Sequence, residues 1–179
     1  MAVAPRVTGE LYKHMFLLRI LKHLSTPNWM AKRAFSAVVC DRIERVIEES
    51  EALHRGEIRF AVEGGLYLVS LLKGLTARAR AVTVFSDLRV WDTEENTGVL
   101  VYLQLVDRDI EIVADRGINA RVTQDEWDAI CQRMEAAFRE SRFEEGVIGG
   151  LREVTALLVR YFPARDVNPN ELPDKPVIL

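Results

Sequence analysis

The chain has 179 residues, 49% of them hydrophobic and 28% charged, with a formal net charge of −3 at pH 7. That length fits one domain with a single sizeable core and an appendage, and the composition is that of a globular protein. The slight acidity excludes a dedicated nucleic-acid binder, which carries a basic face.

The segment from Gly9 to Leu24 predicts a helix in which Leu11, Met15, Leu18 and Leu21 or Lys22 close one stripe. Its charges are nearly all basic: Arg6, Lys13, Arg19 and Lys22, followed by Lys32 and Arg33 after a break at residues 25–28. Such a stripe ordinarily packs on its own domain. A second helix starts at Ser36, a suitable N-cap, and runs through Val39, Ile43, Val46, Ile47 and Leu53 to a stop near Gly56. Alternation of Ile58, Phe60 and Val62 then predicts a half-buried strand over 57–63.

Gly64 and Gly65 lead into a long helical segment with Leu71, Leu75, Val82, Phe85 and Leu88 as its core positions and a kink at Gly74. Residues 98–106 are apolar on both faces, as in a strand covered on each side by helices. A second strand spans 109–114, which makes a hairpin with Asp107 and Asp109 as turn residues. Thr123 and Glu126 form a capping box, followed at helical spacing by Trp127, Ile130, Met134 and Phe138. The last helix begins near Phe143 and buries Val147, Leu151, Val154, Leu158 and Tyr161. From Pro163 onward, four prolines and few apolar residues predict an extended arm.

This order of elements gives an α/β chain: a three-layer α/β/α sandwich around a small mixed sheet, with an extra N-terminal helix and an extended C-terminal tail. The expected boundaries are 1–34 for the basic helix and linker, 35–163 for the domain and 164–179 for the tail. Cys40 and Cys131 fall in helical patterns and are expected as buried, reduced thiols. No apolar run reaches membrane-span length, and the opening MAVAPRVTGELYKHMF lacks a signal core, so the expected compartment is the cytoplasm.

The start of one hairpin strand lies beside the end of the next, so the loops at 91–96 and 115–119 meet at one rim of the sheet. Asp92, Glu94, Glu95, Asn96, Asp115 and Asn119 thereby offer a group of carboxylate and amide oxygens. Hard cations such as Ca²⁺ or Mg²⁺ require oxygen ligands of this kind, and no thiol or imidazole cluster favours a softer metal. The Asp107-Arg108-Asp109 string imitates an aspartate-nucleophile phosphatase, but a strand resumes at once where that chemistry needs a loop and a helix. Phosphatase-cysteine, zincin, hydrolase-serine and phosphate-loop motifs are missing. His54 is read as a turn or helix-end residue rather than a base.

Several stretches together resemble the TPM-domain family. These are Gly56-Glu57-Ile58-Arg59, Asn96-Thr97-Gly98-Val99-Leu100-Val101-Tyr102, Asp107-Arg108, Asp115-Arg116-Gly117-Ile118, Trp127, Phe138, Phe143-Glu144-Glu145-Gly146-Val147 and the closing Asn170-Glu171-Leu172-Pro173-Asp174. The resemblance covers about residues 36–176. It implies an α/β/α sandwich and, more loosely, divalent-cation binding, with acid phosphatase activity or accessory assembly roles in some relatives. Thr97 between the Asn and Gly of the hairpin entry departs from the family pattern, as does the basic N-terminal helix. The expected function is therefore divalent-cation binding at the acidic rim, with weak metal-assisted phosphatase activity as its catalytic form. The rival reading is a non-catalytic module whose N-terminal helix contacts a protein partner or a membrane surface.

Overall fold

The computed structural model describes residues 9–25, 28–165 and 168–179, and of residues 9–13, 15 and 28 it describes the backbone alone. Its strands are Glu57–Glu63 (β1), Gly98–Gln104 (β2), Asp109–Ala114 (β3) and Val177–Ile178 (β4). They pair in the order β3-β2-β1-β4. β1 runs parallel to β2, with Glu57 opposite Gly98, and parallel to β4; β2 and β3 form the antiparallel hairpin, with Val99 opposite Ala114. The sheet is mixed, as the order of elements anticipated, and β2 lies inside it, as its two apolar faces implied.

Helices cover both faces. Against one face lie Ala37–Glu51 (α3), Gln124–Arg139 (α7) and Phe143–Tyr161 (α8), which bury Ile43, Ile47, Trp127, Phe138, Leu151 and Leu158 on Phe60, Val101 and Ile112. Ala77–Asp87 (α5) covers the other face, packing Ala81 and Val84 on Ala61, Leu100 and Tyr102. Ser36 caps α3 by accepting from the Val39 N–H, and the Thr123–Glu126 capping box opens α7. Each such cap satisfies N–H groups that a helix leaves without partners in its first turn.

Several expectations change. All seven residues of β1 are buried, not alternate ones, because α5 and the tail cover its second face. The long helix after Gly65 is two helices, Leu68–Leu72 (α4) and α5, separated at Gly74, whose φ of +71° ends the first. Leu71 is buried as expected, while Val82 and, at the end of α3, Leu53 face solvent. The tail is extended yet packed: Leu172 enters the second core, and the chain end adds β4 to the edge of β1. That covering blunts an edge strand that would otherwise offer unpaired backbone groups.

At the N-terminus, Gly9–Ser25 (α1) is helical and Asn28–Ala34 (α2) follows. The expected stripe on α1 is corrected where it can be judged. Leu18 and Leu21 point outward, and Ile20 instead packs on Leu66 and Leu71. Leu11, Met15, Arg6, Lys13 and the Thr26-Pro27 break lie outside the described side chains and residues. The remaining short helix is Arg116–Asn119 (α6). Both thiols are free; Cys40 is buried and Cys131 half-buried, and burial pushes the Cys131 thiol up to about 12.

Candidate functional site

Register positions the rim. With Val99 opposite Ala114, the next pair outward is Gly98 and Asp115, joined by the Asp115 N–H donating to the Gly98 carbonyl at 2.8 Å. Asp115 caps α6, its Oδ1 accepting from the Arg116 N–H at 2.7 Å. The 91–97 loop turns back on itself: the Thr97 N–H donates to Thr93 Oγ1 at 2.9 Å, and Asn96 adopts φ +56°. Asn tolerates that left-handed conformation better than most residues. The Asn96 carbonyl then accepts from the Gly117 N–H at 3.1 Å, which draws the loop against α6.

The six expected ligands meet different fates. Asn96, Asp115 and Asn119 stand together at the rim. Asn96 Oδ1 accepts from Arg116 Nε at 2.9 Å, and Asn119 Nδ2 donates to the Ala114 carbonyl at 2.6 Å. Glu95 is occupied by two guanidiniums, Arg55 and, at 2.5 Å, Arg165. Asp92 and Glu94 are exposed on the loop, and the Glu94 N–H donates to Glu171 of the tail at 2.8 Å. Among the described residues, no group of three or more His, Cys, Asp or Glu side chains is placed to hold a metal.

Two oxygens at this rim have no partner although water is excluded from them: Asp115 Oδ2 and Thr97 Oγ1. A buried carboxylate oxygen without a hydrogen bond costs free energy unless a donor or a cation meets it. Thr97 is therefore a rim residue that the sequence reading treated only as an insertion in the hairpin entry. Its signal was present in that very insertion, which puts a hydroxyl one residue before Gly98.

A second polar cluster lies at the free part of the β1 edge and was not anticipated. Glu51 of α3 accepts from the Ile58 N–H at 2.7 Å, while Glu57 Oε2 accepts from the N–H groups of Glu171 and Leu172 at 3.1 and 3.0 Å. Burial pushes Glu51 up to about 9 and Glu57 up to about 7, so Glu51 holds its proton at neutral pH. Arg59 is buried nearby, with Nε and one Nη unpaired. On the same strand, Glu63 takes both a forked contact from Arg80 and, at 2.6 Å, the Tyr102 hydroxyl. These groups make long-range contacts, which no local motif announces.

His54 is fully buried, its Nδ1 accepting from the Gly56 N–H at 3.2 Å, and burial lowers it to about 4. It is a turn residue, as read. Asp107 is more than a turn residue, because it receives Arg19 and His23 of α1 at the opposite end of the hairpin from Asp115.

The class that this arrangement defines is an α/β/α sandwich with a polar loop rim at one end of its hairpin. The TPM domain model matches residues 31–157, and the chain belongs to the TPM-domain family. Its fold is similar to the NMR structure of the BA42 protein from the psychrophilic bacterium Bizionia argentinensis, at a TM-score of 0.67 and 28% sequence identity. That similarity covers 79% of this chain and 93% of BA42. No curated protein matches the chain significantly.

Proposed function

We propose that this TPM domain binds a divalent cation, Ca²⁺ or Mg²⁺, at the rim where the 92–97 loop meets Asp115. The observation that carries the reading is the pair of buried, unpartnered oxygens, Asp115 Oδ2 and Thr97 Oγ1. Asp115, Thr97 and Asn119 are the residues that would hold the ion, with Asp92 or Glu94 supplied by the exposed loop. Glu95 is not among them, since Arg55 and Arg165 already neutralise it. Hard cations of this type accept carboxylate, amide and hydroxyl oxygens together, so three carboxylates are not a requirement.

A bound cation would supply Lewis-acid polarisation of a phosphoryl oxygen and a lowered pKa for a bound water. The chain's own contribution to hydrolysis is small. Neither 91–97 nor 115–119 contains His, Cys or Lys, and His54 is sealed in the interior. The rim is therefore read as a binding site first, with phosphomonoester turnover slow and wholly cation-dependent.

The test is calorimetric titration of Ca²⁺ and Mg²⁺ into the wild type, Asp115→Asn and Asp92→Asn. Asp115→Asn keeps the cap acceptor but removes the charge, and it is expected to weaken binding by tenfold or more, roughly 1.4 kcal/mol or above. Wild-type protein that takes neither ion at millimolar concentration would overturn the proposal.

A further inference from the structure

Helix α1 turns two polar side chains inward and leaves four leucines outside. Phe16, Arg19, Ile20 and His23 fall at helical spacing on the face toward the domain. Arg19 and His23 both reach Asp107 in the turn between β2 and β3, at 2.8 and 3.1 Å, and the Leu66 N–H donates to His23 Nδ1 at 2.9 Å. The opposite face carries Leu17, Leu18, Leu21 and Leu24, each between 48% and 60% exposed. A surface helix normally does the reverse, burying its leucines and showing its charges. Scattered surface leucines need no explanation, but a continuous stripe marks an interaction site.

The surroundings extend this apolar face. Leu18 and Leu21 line a groove of about 740 Å³ whose other walls are Phe16, Arg19, Lys22, Ser25 and Asp107. The helix packs beside α4, where Tyr67, Val69 and Leu72 are exposed. Met30 of α2 shares a cleft with Lys22 and Ser25 at the end of α1. Along this stretch the sequence charge has one sign, since residues 11–40 hold five Lys or Arg and no Asp or Glu in a chain whose net charge is −3. Asp107 offsets Arg19 at the groove, and Lys32 and Arg33 of α2 lie exposed.

We infer that the outward face of α1, with the adjoining exposed side of α2, docks on an anionic lipid bilayer surface. Leucines flanked by cations and by exposed Trp29 and Tyr67 have the make-up of an interfacial helix, which sinks its apolar face into the headgroup boundary. Among the described residues no helix is long and apolar enough to cross a membrane, so the contact lies along the surface. A symmetric dimer would set two patches against each other, each carrying Lys32 and Arg33, which like-charge repulsion opposes. The docking face is at the opposite end of the hairpin from Asp115, so it stands or falls apart from the cation site.

The experiment is co-sedimentation with phosphatidylcholine vesicles, with and without phosphatidylglycerol, in EDTA so that no rim cation contributes. Wild-type protein is expected to sediment with the anionic vesicles and to be released by salt. Leu17→Ser with Leu21→Ser should lower partitioning about tenfold or more, and Lys32→Glu with Arg33→Glu should do so by a similar factor. Both double variants change exposed side chains, so circular dichroism and Tm should match the wild type. Failure to bind anionic vesicles, equal binding to neutral ones, or leucine variants that bind undiminished would each overturn the inference. So would a dimer abolished by the leucine variants without vesicle binding, which would assign the face to a second copy.

Discussion

His23 Nε2 donates to Asp107 Oδ2 across 3.1 Å, joining α1 to the turn of the central hairpin. The Leu66 N–H donates to the other ring nitrogen, Nδ1, so the ring bridges the Leu66 backbone and Asp107. Arg19 supplies the opposing charge on the same carboxylate oxygen. One aspartate at a turn therefore fixes the orientation of an entire helix, and with it the direction in which four leucines face.

Replacing Asp107 by Asn should loosen α1 without unfolding the sandwich. The loss of a half-buried, charge-assisted acceptor is expected to cost about 1–3 kcal/mol. Limited proteolysis should then cut first within residues 9–25. Burial alone would raise the Asp107 carboxyl, but hydrogen bonds from His23 and Arg19 outweigh it and hold it below its usual value of 3.8. Its contribution is thus present above that value and disappears as pH falls through the lower folded one. Wild-type α1 should be released only as pH falls below the usual value of 3.8, and in Asp107→Asn it should be loose at every pH.

Glu57 carries the opposite sign. Burial raises it from 4.5 to about 7, against the lowering effect of the Leu172 and Glu171 N–H groups. The folded protein therefore holds more protons than the unfolded chain between those values, and stability declines as pH rises from about 4.5 to about 7. The decline due to this group is about 3 kcal/mol or less. Thermal melts across that range should show it, and Glu57→Gln should make the decline shallower, leaving the share of Glu51, whose carboxyl is raised further. The protection of the Leu172 N–H, corrected for base-catalysed intrinsic exchange, should fall with pH in the wild type and not in Glu57→Gln, because the tail leaves first.

Gly117 sits where the rim loop touches α6. A Cβ there would come within 2.5 Å of the Asn96 carbonyl and 2.8 Å of that of Glu95. Gly117→Ala must push the 95–96 loop away from Asp115, at about 1–3 kcal/mol of strain. Cation affinity is expected to fall by tenfold or more while the far-UV spectrum stays unchanged. Unaltered affinity in a folded variant would show that the loop contributes no ligand to the rim.

Features that depend on neighbours along the chain were legible before any fold was known. Alternation in 57–63, the two-faced apolar run from Gly98, the Ser36 cap and the Thr123–Glu126 box all act within one or two turns of backbone. The meeting of the 92–96 loop with Asp115 was legible too, since hairpin pairing dictates it. Tertiary structure alone decided which of those oxygens remain available. Arg55 and Arg165, forty and seventy positions from Glu95, remove that carboxylate from the rim, and no local pattern encodes the meeting. The same holds for β1, whose charged face becomes interior only once the last residues of the tail lie beside it. It holds as well for α1, where periodicity named an apolar stripe but Asp107, more than eighty positions away, turned that stripe toward solvent. Periodicity reports that a face is apolar; contacts distant in sequence settle what that face meets.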